Sequence, residues 1–315
     1  MVEDDIFRKV FSHTLDELEI PNIAISIQKS DFEKLRNAHD SIHEFSYMAH
    51  HLVNPHEEFL VKSAFLFYHN EVFEQAHRSF LEALSGCYNA ANTLLRSTLE
   101  LLIKGAFWEC MAHKKYRENA EVIKKTGTKI ENSKVTRIDL LKEIFKRSPS
   151  TEDELEKTSG GIFDEVYHLF EDEELRKMIP NVKDIVKQLA EWDVFDPIQE
   201  VFTNPVEYVY DIYYKELSAD VHVIPDKTNI GKRLLAEKEV FETEVIPEEL
   251  NDYVETLHKV IDIGIVIELN ILEDIIIENE KSKKWLRERL INLMELELNF
   301  ASTKIVEIQN EAGEL

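Results

Sequence analysis

Cysteine is nearly absent: Cys87 and Cys110 are the only two in 315 residues. With no CxxC pair and no histidine at ligand spacing from either, they exclude a disulfide framework and a thiolate metal site, and they read as core residues of a reducing compartment. Glycine and proline are also scarce, 8 of each, which argues against low-complexity sequence and against a fold of short strands and tight turns. No apolar run reaches the roughly 20 residues that a membrane span needs. The greasiest stretch, Ile261 to Ile277, is interrupted by Asp262, Glu268, Glu273 and Asp274. The opening MVEDDIFRKVF is acidic and lacks the apolar segment of a secretory signal. A Walker loop, a GxGxxG turn, a nucleophile elbow and an HExxH pair are all missing. These absences predict a soluble, cytoplasmic protein with no membrane partner and no cofactor.

What is present is charge and helical periodicity. Hydrophobic residues make up 43% of the chain and charged residues 31%, a globular composition. The net charge of −25 is uneven. Residues 1–150 carry 20 Lys and Arg against 22 Asp and Glu, so nearly all of the excess lies in residues 151–315. Residues 114–147 reverse the trend with 11 basic against 5 acidic side chains. This island is the one candidate electrostatic footprint for RNA, and it must act against a strongly acidic body. The plainer reading is a solvated connector. The same acidic surface makes a protein partner or self-association the expected mode of interaction.

Helix starts are legible. Asn54-Pro55-His56-Glu57, Asp196-Pro197-Ile198-Gln199 and Asn204-Pro205-Val206-Glu207 each set an Asx cap before a proline at the first helical position, with Glu or Gln reaching back. Ser30 to Glu33 and Thr151 to Glu154 add capping boxes. The pattern predicts helices near 3–19, 31–52, 55–75, 77–113, 136–147, 152–157, 162–176, 181–192, 197–203, 205–222, 247–280 and 283–310. Ile261, Ile263, Ile265 and Ile267 alternate as a strand would, but the segment runs about 30 residues without a turn, too long for an ordinary strand. The fold class is therefore all-α, a multi-helix bundle with long central helices and a C-terminal helical hairpin. The divisions are residues 1–147, with the central apolar helix, a linker at 148–161, and an acidic part at 162–315 packed with the first as one unit.

Two polar stripes carry the candidate chemistry. In the apolar helix at 88–113, Arg96, Glu100 and Lys104 lie four apart, while Ala91, Leu95, Leu99, Leu102 and Ala106 form the face expected at the bundle centre. The stripe is either a pocket-facing site or an exposed ladder worth a few tenths of a kcal/mol per pair. In the helix after Asn204, Tyr210, Tyr214, Ser218 and His222 climb one face. There a histidine bonded by Ser218 is placed for proton transfer or anion recognition, or is a core residue satisfied at a helix end. Histidines cluster as well: seven of the 12 lie between His39 and His77. Glu74, Glu165 and Glu255 each precede a histidine by three residues, half of a carboxylate-bridged di-iron pattern. A chain so rich in glutamate produces such pairs by composition, and no metal site is expected.

The run Phe80-Leu81-Glu82-Ala83-Leu84, Tyr88-Asn89-Ala90-Ala91 and Leu94 to Glu100, followed by Tyr214 to His222, resembles a pattern in helical proteins related to the HEPN superfamily. The likeness covers residues 77–113 and 205–225. It implies a helical bundle, often dimeric, from stress, phage-defence or RNA-processing systems, many of whose members are metal-independent ribonucleases. That nuclease motif separates an arginine from a following histidine by four to six intervening residues. His222 lacks one, whereas Arg8 with His13 and Arg36 with His43 have the spacing, and Asn37 supplies the polar residue after the arginine. The resemblance leaves Arg96, Glu100 and His222 as a site assembled across the bundle, Tyr214 and Ser218 as binding residues, and Arg36 with His43 as the local alternative. The expected function is a helical interaction or regulatory module, with a metal-independent ribonuclease second.

Overall fold

The computed structural model describes residues 20–53, 63–112, 181–202, 204–217 and 245–311. Among the described residues there are ten α-helices and no strand. They are α1 (Ile20–Lys29), α2 (Phe32–Val53), α3 (Ala64–Leu84), α4 (Tyr88–Ala112), α5 (Val182–Glu191), α6 (Ile198–Val201), α7 (Pro205–Asp211), α8 (Pro247–Glu278), α9 (Glu280–Glu295) and α10 (Asn299–Glu311). A π-helical turn, Ile212–Glu216, continues α7. The all-α reading of the sequence holds. No helix among the described residues is long and apolar enough to cross a membrane. The expected helices near 3–19, 136–147, 152–157 and 162–176 lie outside the described residues, as do the Asn54-Pro55 and Thr151 caps, the 148–161 linker and the basic island at 114–147.

The hub is α8, which packs on α2, α4 and α10. Every residue from Val260 to Leu269 is buried, so the isoleucine alternation in the sequence marks no face: apolar side chains are wanted all round. At Gly264 a β-carbon would sit 3.1 Å from Leu102 Cδ1 and 3.3 Å from Phe45 Cε2. The absent side chain lets α8 approach α4 and α2 closely. The predicted core face of α4 is buried throughout, with Ala91, Leu95, Leu99, Leu102 and Ala106 at 0% exposure. The sequence reading places the helix at 88–113 centrally. It is flanked rather than surrounded, with Asn89, Ala90 and Thr93 in solvent, and α8 takes the centre. Helices from both sides of the 148–161 boundary contribute to this one core.

Buried polar side chains tie helix ends to the hub. Asp262 of α8 accepts the backbone N–H groups of Phe300 (3.1 Å) and Ala301 (2.9 Å), so it caps α10 from another helix. Burial pushes its carboxyl up to about 6, against the pull of those amide donors. Glu109 of α4 does the same for α3, accepting from Ser63 Oγ at 2.8 Å and Phe65 N at 3.0 Å. At the start of α8, Tyr88 Oη accepts from Ile246 N (2.9 Å) and donates to Ile246 O (3.1 Å).

Several boundaries differ from the sequence reading. The break expected at residue 76 does not exist: α3 runs through His77 to Leu84 and ends at Gly86, whose φ of 86° only glycine adopts cheaply. Gly86 N bonds Ala83 O and Cys87 N bonds Glu82 O, a Schellman closure. At α2 the cap is Asp31, whose Oδ1 accepts from Glu33 N at 3.0 Å, and Ser30 is not the capping residue. The Asn204-Pro205 cap is as read, with Asn204 accepting from Glu207 N at 3.2 Å. Its look-alike at Asp196 differs: Pro197 itself occupies the cap, and Asp196 instead accepts from the Gln199 amide at 2.6 Å. The second arm of the C-terminal hairpin is two helices, α9 and α10, divided where Glu297 takes a φ of 60°.

Candidate functional site

The polar stripe of α4 faces neither open solvent nor a dry pocket. It faces the π-helical turn. Arg96 donates to Tyr213 Oη at 3.1 Å, and its guanidinium lies 4.8 Å from the centre of that ring. Tyr213 Oη donates to Glu100 Oε2 at 2.9 Å, and Lys104 donates to Glu100 Oε1. Arg96 and Glu100 are therefore joined through a tyrosine rather than directly. Burial works to raise the Glu100 carboxyl, but the bonds from Lys104 and Tyr213 and the charge of Arg96 outweigh it and hold the pKa below the usual value. Burial pushes the Tyr213 phenol up. Chemically this is a charge-assisted strut between two helices with all three polar heads engaged.

Helical counting sets Tyr213 on the apolar stripe, and for that reason it was missed. An α-helical continuation places Tyr210, Tyr214, Ser218 and His222 on one stripe, but the wider turn, in which Leu217 N bonds Ile212 O at 3.1 Å, resets the register. Tyr210 sits against Lys183 of α5, 5.3 Å from ring centre to Nζ. Tyr214 lies within the turn, and Ser218 and His222 lie outside the described residues. Arg96 is thus brought against the π-helical turn, with Tyr213 as the contact.

The second candidate lies on α2. Arg36, Asn37 and His43 line one wall of a cleft of about 710 Å³, with Asn292 and Glu295 of α9 opposite. The motif spacing therefore does bring its arginine and histidine to one cavity. The cleft's charge is acidic, since Glu33, Asp40, Glu44 and Glu295 also line it. Arg36 is paired with Glu33 at 2.6 Å and is half-exposed. Deeper in, Arg289 of α9 holds the buried Glu44 by two bonds, Nε to Oε2 at 3.0 Å and Nη2 to Oε1. His43 Nε2 lies 3.2 Å from His39 Nε2. Its pKa is lowered, first by burial and then by the neighbouring His39 and His77.

One buried ionisable pair gave no functional signal in the sequence. Glu268, at the middle of α8, is fully buried, and neither carboxyl oxygen has a hydrogen-bond partner among the described residues. His69 Nε2 is 3.7 Å away but bonds the Phe45 carbonyl at 3.1 Å instead. Burial pushes the Glu268 carboxyl well above its ordinary value and pushes His69 down to about 4. Burial thus favours the uncharged form of both groups, which is the form a dry interior tolerates.

Comparison of the chain with protein-family models, with curated proteins and with solved structures returned no match.

Proposed function

We propose that this chain is a helical interaction module that pairs with a second copy of itself through the outer face of α9. One observation carries the reading: Ile291 and Met294, one turn apart on that face, are 64% and 62% exposed while their helix neighbours Leu286 and Leu293 fill the core. Two large apolar side chains held out side by side give that face the start of a contiguous apolar patch, the kind of surface that a contact covers. The flanking charges suit an antiparallel two-fold pairing. Before the apolar pair Lys281, Lys284 and Arg287 are exposed together with Glu280 and Glu288, Glu288 lying 4.0 Å from Lys284, and after it come Glu295 and Glu297, so the less acidic end of each copy meets the acidic end of the other. The strut on α4 supports a structural part for Arg96 and Glu100, because their polar heads are already spent on Tyr213 and Lys104.

Sedimentation equilibrium of the full chain tests this. A concentration-dependent dimer is expected, and Ile291→Asp combined with Met294→Asp should leave a monomer with an unchanged helical circular-dichroism spectrum. A wild-type chain that remains monomeric across the accessible concentrations overturns the proposal.

A metal-independent ribonuclease is the second reading, favoured by the shared cleft of Arg36, Asn37 and His43. An arginine and a histidine at one phosphodiester supply charge stabilisation and proton transfer without a metal. The acidic lining works against it by repelling a polyanion. Single-stranded RNA incubated with the protein in excess chelator is expected to stay intact. Cleavage that disappears in both Arg36→Ala and His43→Ala would replace the interaction reading.

A further inference from the structure

Spacing along the chain predicted no metal site, but packing brings three histidines to one point. His39 and His43 are one turn apart on α2, and His77 reaches them from α3. One ring nitrogen of each lies within 4.8 Å of the other two. The His77 ring is centred 5.9 Å from that of His39 and 6.1 Å from that of His43, and it makes no hydrogen bond to either. We propose that His39, His43 and His77 bind one divalent transition-metal ion of the zinc class through three imidazole nitrogens, with the fourth coordination position open toward the cleft that His43 lines. This site goes beyond the interaction reading and stands without it.

Three features argue for an ion rather than a chance meeting of rings. First, the spacing fits. Zinc–nitrogen bonds of about 2.0–2.1 Å in a tetrahedral site set ligand nitrogens ~3.3 Å apart. His39 Nε2 and His43 Nε2 already stand 3.2 Å apart, and His77 closes the remaining gap by side-chain rotation on a fixed helix.

Second, the orientation is provided for. Asp40 Oδ1 lies 3.2 Å from His39 Nδ1, so that nitrogen carries the proton and donates to the carboxylate. The lone pair of Nε2 is then turned to the site, the carboxylate–histidine arrangement that supports metal ligands. A 3.2 Å contact between two Nε2 atoms requires a proton on one of them. An ion takes that proton's place between the two nitrogens, and the imidazoles bind it as neutral ligands.

Third, one side of the site is closed. Phe73 lies 5.7 Å from His43 and 6.1 Å from His77, and Phe80 lies 6.1 Å from His39, centre to centre. The buried Phe80 and the partly buried Phe73 cover that side and leave the approach from the cleft. Imidazole donors select zinc, copper, nickel or cobalt over magnesium and calcium, which prefer oxygen. Among these, a three-histidine site with one open position is the zinc arrangement.

The test is equilibrium dialysis of the full chain, stripped with chelator, against Zn(II), with Co(II) as a spectroscopic probe and Mg(II) as competitor. One Zn(II) per chain is expected, undisturbed by excess Mg(II), and bound Co(II) should show the intense d–d absorption of a four-coordinate site. Asp40→Asn should weaken Zn(II) binding about 10- to 100-fold. His77→Ala should weaken it further, while His50→Ala, a histidine outside the cluster, leaves it unchanged. Equal binding by wild type and His77→Ala overturns the site. Should His77→Ala fail to fold, X-ray absorption on the zinc-loaded wild type decides: three imidazole ligands support the proposal, and fewer than three overturn it.

Discussion

Leu99→Ala is expected to lower the urea midpoint by an amount equivalent to ~2–5 kcal/mol, with the denaturant slope unchanged. Leu99 has 0% exposure on the α4 face that meets α8, between Leu95 and Leu102, which are equally enclosed. Removing its isobutyl group forfeits the transfer free energy of the lost carbons. It also leaves a cavity that the surrounding close-packed core fills only in part. A midpoint within experimental error of the wild type would show that α4 does not abut the hub as described.

Glu268→Met is expected to act in the opposite direction, raising stability by about 1–3 kcal/mol near pH 4, where the carboxyl is protonated in both the folded and unfolded chains. A buried carboxyl without partners has given up its water bonds and regained none. Methionine matches its unbranched shape with nothing to desolvate. The gain should widen with pH. The folded carboxyl titrates above the ordinary 4.5. As pH rises through 4.5 the unfolded chain releases a proton that the folded chain retains, so wild-type stability falls until pH passes the folded value. The variant lacks that loss. His69, pushed down to about 4 from 6.5 by burial, acts the other way. Its contribution is complete above 6.5 and is lost as pH falls toward 4, in wild type and variant alike. Paired urea titrations at several pH values isolate the difference, and a variant less stable than wild type at every pH would give Glu268 a partner and a structural task.

The cleft and the histidine cluster also illustrate how far local pattern reaches. Arg36, Asn37 and His43 could be grouped from spacing because all three stand on α2. His77 could not, because it joins them from α3, whose extent was misread. The sequence reading ends one helix at 75 and starts the next at 77, and only the φ of 86° at Gly86 shows where the chain turns. Tyr213 escaped for a related reason. Its partner on α4 is far away in sequence, and helical counting places it on the apolar stripe beside Tyr210 and Tyr214 rather than among the polar candidates.

What the sequence determined by itself is what depends on neighbours a turn apart or less: the helical class, the Asn204 cap and the buried face of α4 from Ala91 to Ala106. Those follow from backbone propensity, capping hydrogen bonds and apolar period, all of which are local. Tertiary structure alone decided that α8 rather than α4 is enclosed and that the Arg96 stripe closes on Tyr213. It also decided that Asp262 and Glu109 cap helices other than their own, and that His39, His43 and His77 converge. Each of these depends on the rotation of one helix against another, which is set by packing of the whole core, and no local run of residues encodes it.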